Sequence, residues 1–284
     1  MQQRAPARVV NAMSVDVEDW FQVWAFEGSG AIARDQWDSL PRRVEANTDR
    51  LLGLFADANV KATFFTLGWV AERHPSLIRR IVEQGHELAS HGWNHTRADA
   101  QTPDEFRADI RRTKRALEAA GETEVVGYRA ATFSIGPKNP WAFEVLAEEG
   151  YRYDSSTYPV KHDFYGDVHA PREPHQRGGL LEVPMTTCVR MGKTLPASGG
   201  GWFRLLPYGI SRSNMRRVVD GERRPAVFYF HPWEIDADQP RVANINWKTR
   251  VRHYTGLGHM ERKLQRLVRD FAWDRMDRVF LEPR

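Results

Sequence analysis

Residues 61–95 read KATFFTLGWVAERHPSLIRRIVEQGHELASHGWNH, and their pattern switches period twice. Lys61 to Leu67 is a short run rich in apolar and β-branched residues, the form of a strand buried on both faces. Pro75 to Gln84 has a proline at its first turn and Gly85 just past its end, which predicts a short helix. His86 to Ser90 then reads as another strand, delivering His91 just beyond its end. A strand, helix and strand in this order predict a parallel sheet with crossover helices.

The same alternation extends in both directions. Arg8 to Val17 reads as the first strand, and Val44 to Ala58 places Val44, Leu51, Leu54 and Phe55 at helical spacing. Thr102, Pro103 and Glu105 form a capping box with proline at the first helical position, and Gly121 ends that helix. Strand Val125 to Arg129 follows, then a helix from Asn139 to Gly150 and a strand from Tyr151 to Ser155. Pro159 to Pro207 is rich in Gly, Pro and His. It reads as loops over a barrel mouth with one strand, Leu180 to Met185, and the glycines of Ser198-Gly199-Gly200-Gly201 suit a flexible loop. Ala226 to Phe230 is the last barrel strand, and His259 to Phe271 is an amphipathic helix with Met260, Leu264, Leu267, Val268 and Phe271 on one face. The expected architecture is an α/β fold, a distorted β/α barrel over residues 1–240 with residues 241–284 packed on it as a helical extension.

Composition excludes several classes. With 41% hydrophobic and 27% charged residues over 284 positions, the chain can bury a full core and is not disordered. A net charge of +4 is spread along the chain, which argues against nucleic acid as a partner. Its most basic stretch, Lys248 to Arg269, reads as a solvated helix face. One cysteine, Cys188, rules out an intrachain disulfide and a cysteine-based zinc site. The N-terminal MQQRAPARVV lacks the apolar run of a secretory leader. No stretch reaches the roughly 20 apolar residues of a transmembrane helix. The expected location is the cytoplasm or the membrane periphery. Oligomeric state is left open.

Chemistry concentrates at strand ends. His91 and His95 stand four residues apart, a spacing that brings two imidazoles onto one metal ion if the backbone turns helically after the strand. Asp16, Glu18 and Asp19 cluster at the end of the first strand, where three carboxylates repel one another unless a cation lies near. Two histidines and one carboxylate leave open positions on a divalent ion for water and a substrate carbonyl. Arg129 closes its strand and can orient a carboxylate base. His231 follows the last barrel strand and is placed to act as a general acid. Asp154 sits near a strand end, positioned to orient His231 or to bind sugar hydroxyls, with a turn role equally open. All these residues fall at the C-terminal ends of predicted strands, the face on which β/α barrels build active sites.

In their order and content these motifs resemble the polysaccharide deacetylase family, also called the NodB-homology or carbohydrate esterase family 4 proteins, across Val9 to Pro232. Asp16-Val-Glu18-Asp19 resembles its acidic first motif, His91 and His95 its metal-binding pair, and Arg129 the start of its third motif, with Ala131 in place of the usual proline. Leu181 to Pro184 and Phe230-His231 resemble the later motifs. More narrowly, DVEDWFQV, YRAATFSI and HPWE resemble deacetylases encoded with exosortase and exopolysaccharide systems, which carry a comparable C-terminal extension.

The resemblance implies metal-dependent hydrolysis of N-acetyl groups on amino sugars of a bacterial exopolysaccharide or its precursor. Asp19, His91 and His95 are expected to hold the metal, zinc first, with cobalt or nickel accepted by the same donors. Asp19 is chosen because it lies at the extreme end of the strand. Either Asp16 or Glu18 is then the base, since alternation puts both on one face, and His231 is the acid. Trp93, Phe133, Tyr158, Trp202 and Trp233 are candidates for stacking on sugar rings. Two competing readings are a hydrolase of a small cyclic amide, resembling allantoinases, and a carbohydrate-binding barrel without turnover.

Overall fold

A computed structural model describes residues 8–163 and 165–281. The first seven residues of the stretch read for a leader, and the last three of the C-terminal extension, lie outside them. The described strands are β1 (Val10–Val17), β2 (Thr63–Thr66), β3 (Glu87–Ser90), β4 (Gly127–Tyr128), β5 (Tyr153–Asp154), β6 (His175–Arg177), β7 (Leu180–Glu182), β8 (Thr187–Arg190), β9 (Lys193–Pro196), β10 (Val227–Phe230) and β11 (Ala272–Asp274). Nine of them form one sheet in the order β10-β1-β2-β3-β4-β5-β7-β6, with β11 also paired to β1. Every pairing in it is parallel except β6 with β7, and helices cross between the strands.

Parallel strands covered on both faces need continuous apolar sequence. β1 is buried at every residue after Val10, and its polar Asn11, Ser14 and Asp16 are each hydrogen-bonded. The Val44–Ala58 helix buries Val44, Leu51, Leu52, Leu54 and Phe55 against the sheet. The Pro103–Gly121 helix begins with the expected capping box, Thr102 accepting from the Glu105 N–H and Glu105 reaching back. On the opposite face of the strands, Ala12, Phe65, Ala89, Tyr153, Val227 and Tyr229 share a cluster with Met276 and Val279.

β10 has hydroxyl partners where a further strand would pair. The Val227 N–H donates to Thr186 Oγ1 at 2.7 Å, and Ser198 Oγ donates to the Val227 carbonyl. Side chains thus satisfy backbone groups that would otherwise be buried without partners.

Three regions differ from the sequence reading. Pro159 to Pro207 contains four strands and the Gly200–Leu205 helix, where loops with one strand are expected. The β8–β9 hairpin is half exposed and polar on one side, so it lacks an apolar run. Gly199 and Gly200 are close-approach positions, not a flexible loop. A Cβ on Gly199 would lie 2.1 Å from the Tyr229 ring, and one on Gly200 would lie 1.9 Å from Glu234 Oε1. Lastly, the C-terminal extension adds β11 to the sheet. β11 pairs with Val10–Ala12, ahead of the stretch of β1 that β2 takes, and the following Met276 N–H donates to Thr63 Oγ1 at 2.8 Å.

Candidate active site

Side-chain alternation selects what meets beyond the strand ends. Ser14 and Asp16 on β1, Arg129 after β4, and Tyr229 and His231 along β10 have matching parity. Gly127, two residues before Arg129, keeps the space open, since a Cβ there would lie 2.3 Å from the Tyr153 ring. Arg129 is fully buried. It donates to Asp16 Oδ1 at 2.6 Å, Ser14 Oγ at 2.9 Å and the Ser155 carbonyl at 3.2 Å, and its guanidinium lies 4.1 Å from the centre of the Phe65 ring.

Glu18 stands one alternation beyond Asp16, and its carboxylate meets the two histidines. One donor atom from each of Glu18, His91 and His95 lies within 4.8 Å of the others, and all three residues are buried. His91 directs Nδ1 to the Arg129 carbonyl at 2.8 Å, which leaves Nε2 as the free ligand atom. His95 Nε2 faces Glu18 Oε2 at 3.1 Å. The pair is not carried on a helical turn, as the spacing suggests. Gly92 (φ 77°) and His95 (φ 58°) both adopt left-handed backbone, and this folds the segment so that the rings sit 5.4 Å apart. A histidine held there is strained, a cost found mostly at functional sites.

The electrostatics fit a divalent cation. Burial pushes the Glu18 carboxyl up to about 7 and pulls both His91 and His95 down, so the imidazoles stay neutral with lone pairs available. Glu18 Oε2 and His95 Nδ1 are buried without a hydrogen-bond partner. A buried carboxylate oxygen facing two neutral imidazoles suits a cation, and two histidines with one carboxylate are donors that zinc accepts.

Asp19 is not part of this group. It has the opposite parity to Glu18, and its carboxylate caps the Val44–Ala58 helix instead. Oδ2 accepts from the Arg43 and Val44 N–H groups at 2.7 and 3.0 Å, and Oδ1 from the Trp20 N–H at 2.8 Å. Burial raises its carboxyl to about 6 against these hydrogen bonds.

His231 closes the other side. Its Nε2 lies 3.5 Å from Glu18 Oε1 and 4.0 Å from Asp16 Oδ2, while Nδ1 is 2.6 Å from Glu234 Oε1. Burial alone would lower its pKa, but the charges of Glu18, Glu234 and Asp16 prevail and lift it to about 9. Arg204, itself buried, donates to Glu234 Oε2 at 3.1 Å, and with His231 it holds Glu234 below the usual carboxylate range despite burial. Trp233 donates its indole N–H to Glu18 Oε1 at 3.1 Å and stacks between His231 and His253. Glu234, Arg204 and His253 escape sequence reasoning. For Glu234 the available signal is its place three residues after His231.

The remaining expected residues divide. Phe133 and Trp233 line the cavity of about 190 Å³ over the histidines, together with Asp16, Glu18 and His231. Trp93 does not, for its ring lies beneath Arg112 and against Gly68. Tyr158 is buried behind Phe133 and donates to the Ser198 carbonyl at 3.1 Å. Asp154 is sealed in the interior. It accepts from Ser156 Oγ at 2.6 Å and pairs in register with Glu182, so it neither reaches a sugar nor orients His231. Trp202 is 44% exposed and lies outside the cavity lining.

Comparison with known proteins is consistent with this geometry. Residues 36–153 match the family model for polysaccharide deacetylase, and residues 155–281 match a domain of unknown function, DUF3473. A peptidoglycan-N-acetylglucosamine deacetylase of Bacillus cereus is 37% identical over 70 residues, 25% of this chain and 26% of that protein. A chitooligosaccharide deacetylase of Sinorhizobium fredii is 33% identical over 99 residues, 35% of this chain and 44% of its own length. The chain therefore spans less than half of either relative. A solved polysaccharide deacetylase homologue from Pseudomonas aeruginosa superposes with a TM-score of 0.61 at 19% identity, covering 96% of this chain and 90% of its own. One from Mycobacterium smegmatis gives 0.59 at 21% identity, with 94% and 86% covered. At these identities the likeness establishes the fold. Sequence motifs, family match and fold agree, and the chain carries a polysaccharide deacetylase domain (NodB homology, carbohydrate esterase family 4) followed by a DUF3473 segment.

Proposed function

We propose that this protein is a metal-dependent N-deacetylase acting on N-acetylhexosamine units of a bacterial exopolysaccharide or its precursor. The observation that carries the reading is the convergence of Asp16, Glu18, His91, His95 and His231 on one cavity, with Arg129 fixing Asp16 from below. Glu18, His91 and His95 hold the ion in this reading, zinc first, with cobalt or nickel served by the same donors. The ion supplies Lewis acidity toward the acetamide carbonyl and the attacking water.

Asp16 is the base. Its Oδ1 is engaged by Arg129, which leaves Oδ2 to take the proton of the attacking water. His231 holds the proton that the departing amine requires. Glu234 engages its Nδ1, so Nε2 is the atom turned toward Asp16 and Glu18. Arg204 anchors Glu234 and so keeps the imidazole in place. Among the described residues no helix is long and apolar enough to cross a membrane, and we place the enzyme at a cytoplasmic or membrane-peripheral step of assembly, in line with the exosortase-associated resemblance.

The test is acetate release from N-acetylglucosamine oligomers and purified exopolysaccharide, with metal added or chelated, for wild type and His91→Ala. Release that needs metal and disappears in the variant is the expected result. Metal bound without release from any saccharide would transfer the reading to a small cyclic amide, which the small cavity also suits.

A further inference from the structure

Residues 183–219 carry six basic side chains and no acidic one. Of the ten exposed large hydrophobic residues among those described, six fall in this same stretch: Val189, Met191, Leu195, Trp202, Leu205 and Ile210. Apolar and cationic side chains exposed together, with no carboxylate between them in sequence, suit a partner that is both apolar and anionic.

The β8–β9 hairpin is the centre of this surface, and it breaks two local rules. Its turn, Met191-Gly192, holds both residues in left-handed backbone (φ 50° and 73°), where asparagine or glycine is the favoured first residue. Met191 stands there instead, 100% exposed. Arg190 and Lys193 pair directly across the two strands, and like charges so placed weaken a hairpin. Beside them Val189 and Leu195 are exposed on opposite faces, since Val189 pairs with Thr194 and Leu195 with Cys188. Each feature costs stability in water, and each is offset where the tip can enter an apolar layer under negative charge.

The fold does not consume the charge. Arg204 is buried on Glu234, Arg212 pairs with Asp270 at 2.7 Å, and Arg216 lies 3.9 Å from Asp220. Glu222, the other acid near the hairpin, is held by Arg172 and Arg224. This leaves Arg190, Lys193 and Arg217 without a carboxylate partner among the described residues. Trp202 adjoins the hairpin, for Pro196, Trp202, Ser211 and Asn214 border one hollow and Arg190 donates to Asn214 at 3.4 Å. Gly201, next to Trp202, lines the cavity over the histidines.

We infer that this face docks on an anionic lipid bilayer. The Met191 tip enters the headgroup layer, Trp202 sits at the interface, and Arg190, Lys193 and Arg217 meet lipid phosphates. A protein is the poorer occupant, because a rigid partner packs on one face of a hairpin and here apolar residues leave from both. The inference stands apart from the deacetylase reading, and docking would hold the cavity beside the bilayer whatever its chemistry.

The test is co-sedimentation of the full chain with vesicles of phosphatidylcholine alone, or of equal parts phosphatidylcholine and phosphatidylglycerol, at low and high salt. Size-exclusion chromatography of the free protein accompanies it. The expected result is binding to the anionic vesicles only, weakened by salt. The double substitution Arg190→Gln, Lys193→Gln should weaken it about 30-fold, at roughly fivefold per cation, and Met191→Asn by about tenfold or more. Asparagine is favoured at that turn position, so Met191→Asn should melt no lower than wild type, which separates lost docking from lost folding. No binding to anionic vesicles, equal binding to both compositions, or binding that both variants retain would overturn the inference. So would a dimer in solution that Met191→Asn dissociates, which would give the face to a second copy of this chain.

Discussion

Asp19 and Glu18 are neighbours in sequence and opposites in role, which makes their separate substitution the sharpest test of the site. In Asp19→Asn, one carboxylate oxygen becomes an NH2 group that cannot accept. The Arg43, Val44 and Trp20 N–H groups share the two oxygens of the native carboxylate, so at least one buried N–H loses its partner. Leaving a buried donor unsatisfied costs about 1–3 kcal/mol, and the lost charge on a helix N-terminus adds to that. A total of about 2–4 kcal/mol corresponds to a melting-temperature drop of roughly 4–16 °C in a domain of about this size. Metal affinity should persist. Glu18→Gln should do the reverse, since Oε2 makes no hydrogen bond to lose, and removing the carboxylate that groups with His91 and His95 should abolish tight metal binding with little change in melting temperature. The assays are thermal unfolding of the metal-free proteins and calorimetric zinc titration. Loss of zinc binding in Asp19→Asn with unchanged melting would refute the assignment and return the metal to Asp19.

Gly200→Ala should lower acetate turnover while zinc binding survives, because the new Cβ, 1.9 Å from Glu234 Oε1, must displace the carboxylate that holds His231; unchanged turnover would show that Glu234 does not matter. A pH effect is expected at the opposite end of the sheet, where burial first, and the Asp277 charge with it, raise Glu87 from 4.5 to about 8. The native state then holds the extra proton between those values, so stability falls as pH rises through the window, by at most about 1.4 kcal/mol per pH unit. His86, lowered by burial from 6.5 to about 4, gives the opposite slope only below 6.5. Denaturation measured between pH 6.5 and 8 should therefore show a declining stability, to which His231, raised from 6.5 to about 9, also contributes; Glu87→Gln should make the slope shallower, and equal slopes in the two proteins would contradict the buried-acid reading.

Sequence legibility follows the length and periodicity of each element. The Val44–Ala58 helix was readable from its apolar spacing and the Pro103–Gly121 helix from its capping box, and His91, Arg129 and His231 stood out because each falls at the end of a predicted strand. β4 and β5 are two residues long, and only the alternation of neighbouring helices betrays them. β11 is a three-residue strand whose partner lies some 260 positions earlier, a pairing that no local pattern encodes. The carboxylate that faces the histidines differs from the expected one for another reason. Position at the extreme end of β1 favoured Asp19, whereas side-chain parity, already visible in the spacing of Asp16 and Glu18, is what aims a carboxylate at the histidines. His95, singled out for its spacing, is held by left-handed backbone in place of the expected helical turn.

The two matched segments split the machinery between them. His91, His95 and Arg129 lie within residues 36–153, and Asp16 and Glu18 precede that stretch; His231, its partner Glu234, the anchoring Arg204 and the stacking His253 all lie within residues 155–281. Trp233 crosses the divide through its bond to Glu18, and Arg204 ties the loop before β10 to the carbonyls of Arg252 and Thr255 after it. The second segment also supplies β10 and β11, which flank β1 and so fix the strand that carries Asp16 and Glu18. In the proposed reaction, removing it would take away the acid; it would also leave one edge of β1 unpaired and reduce the other to the Ser14–Val17 pairing with β2. In the proposed mechanism the DUF3473 segment thus supplies the acid as well as part of the scaffold, and a fragment ending near residue 153 should neither fold stably nor protonate a leaving amine.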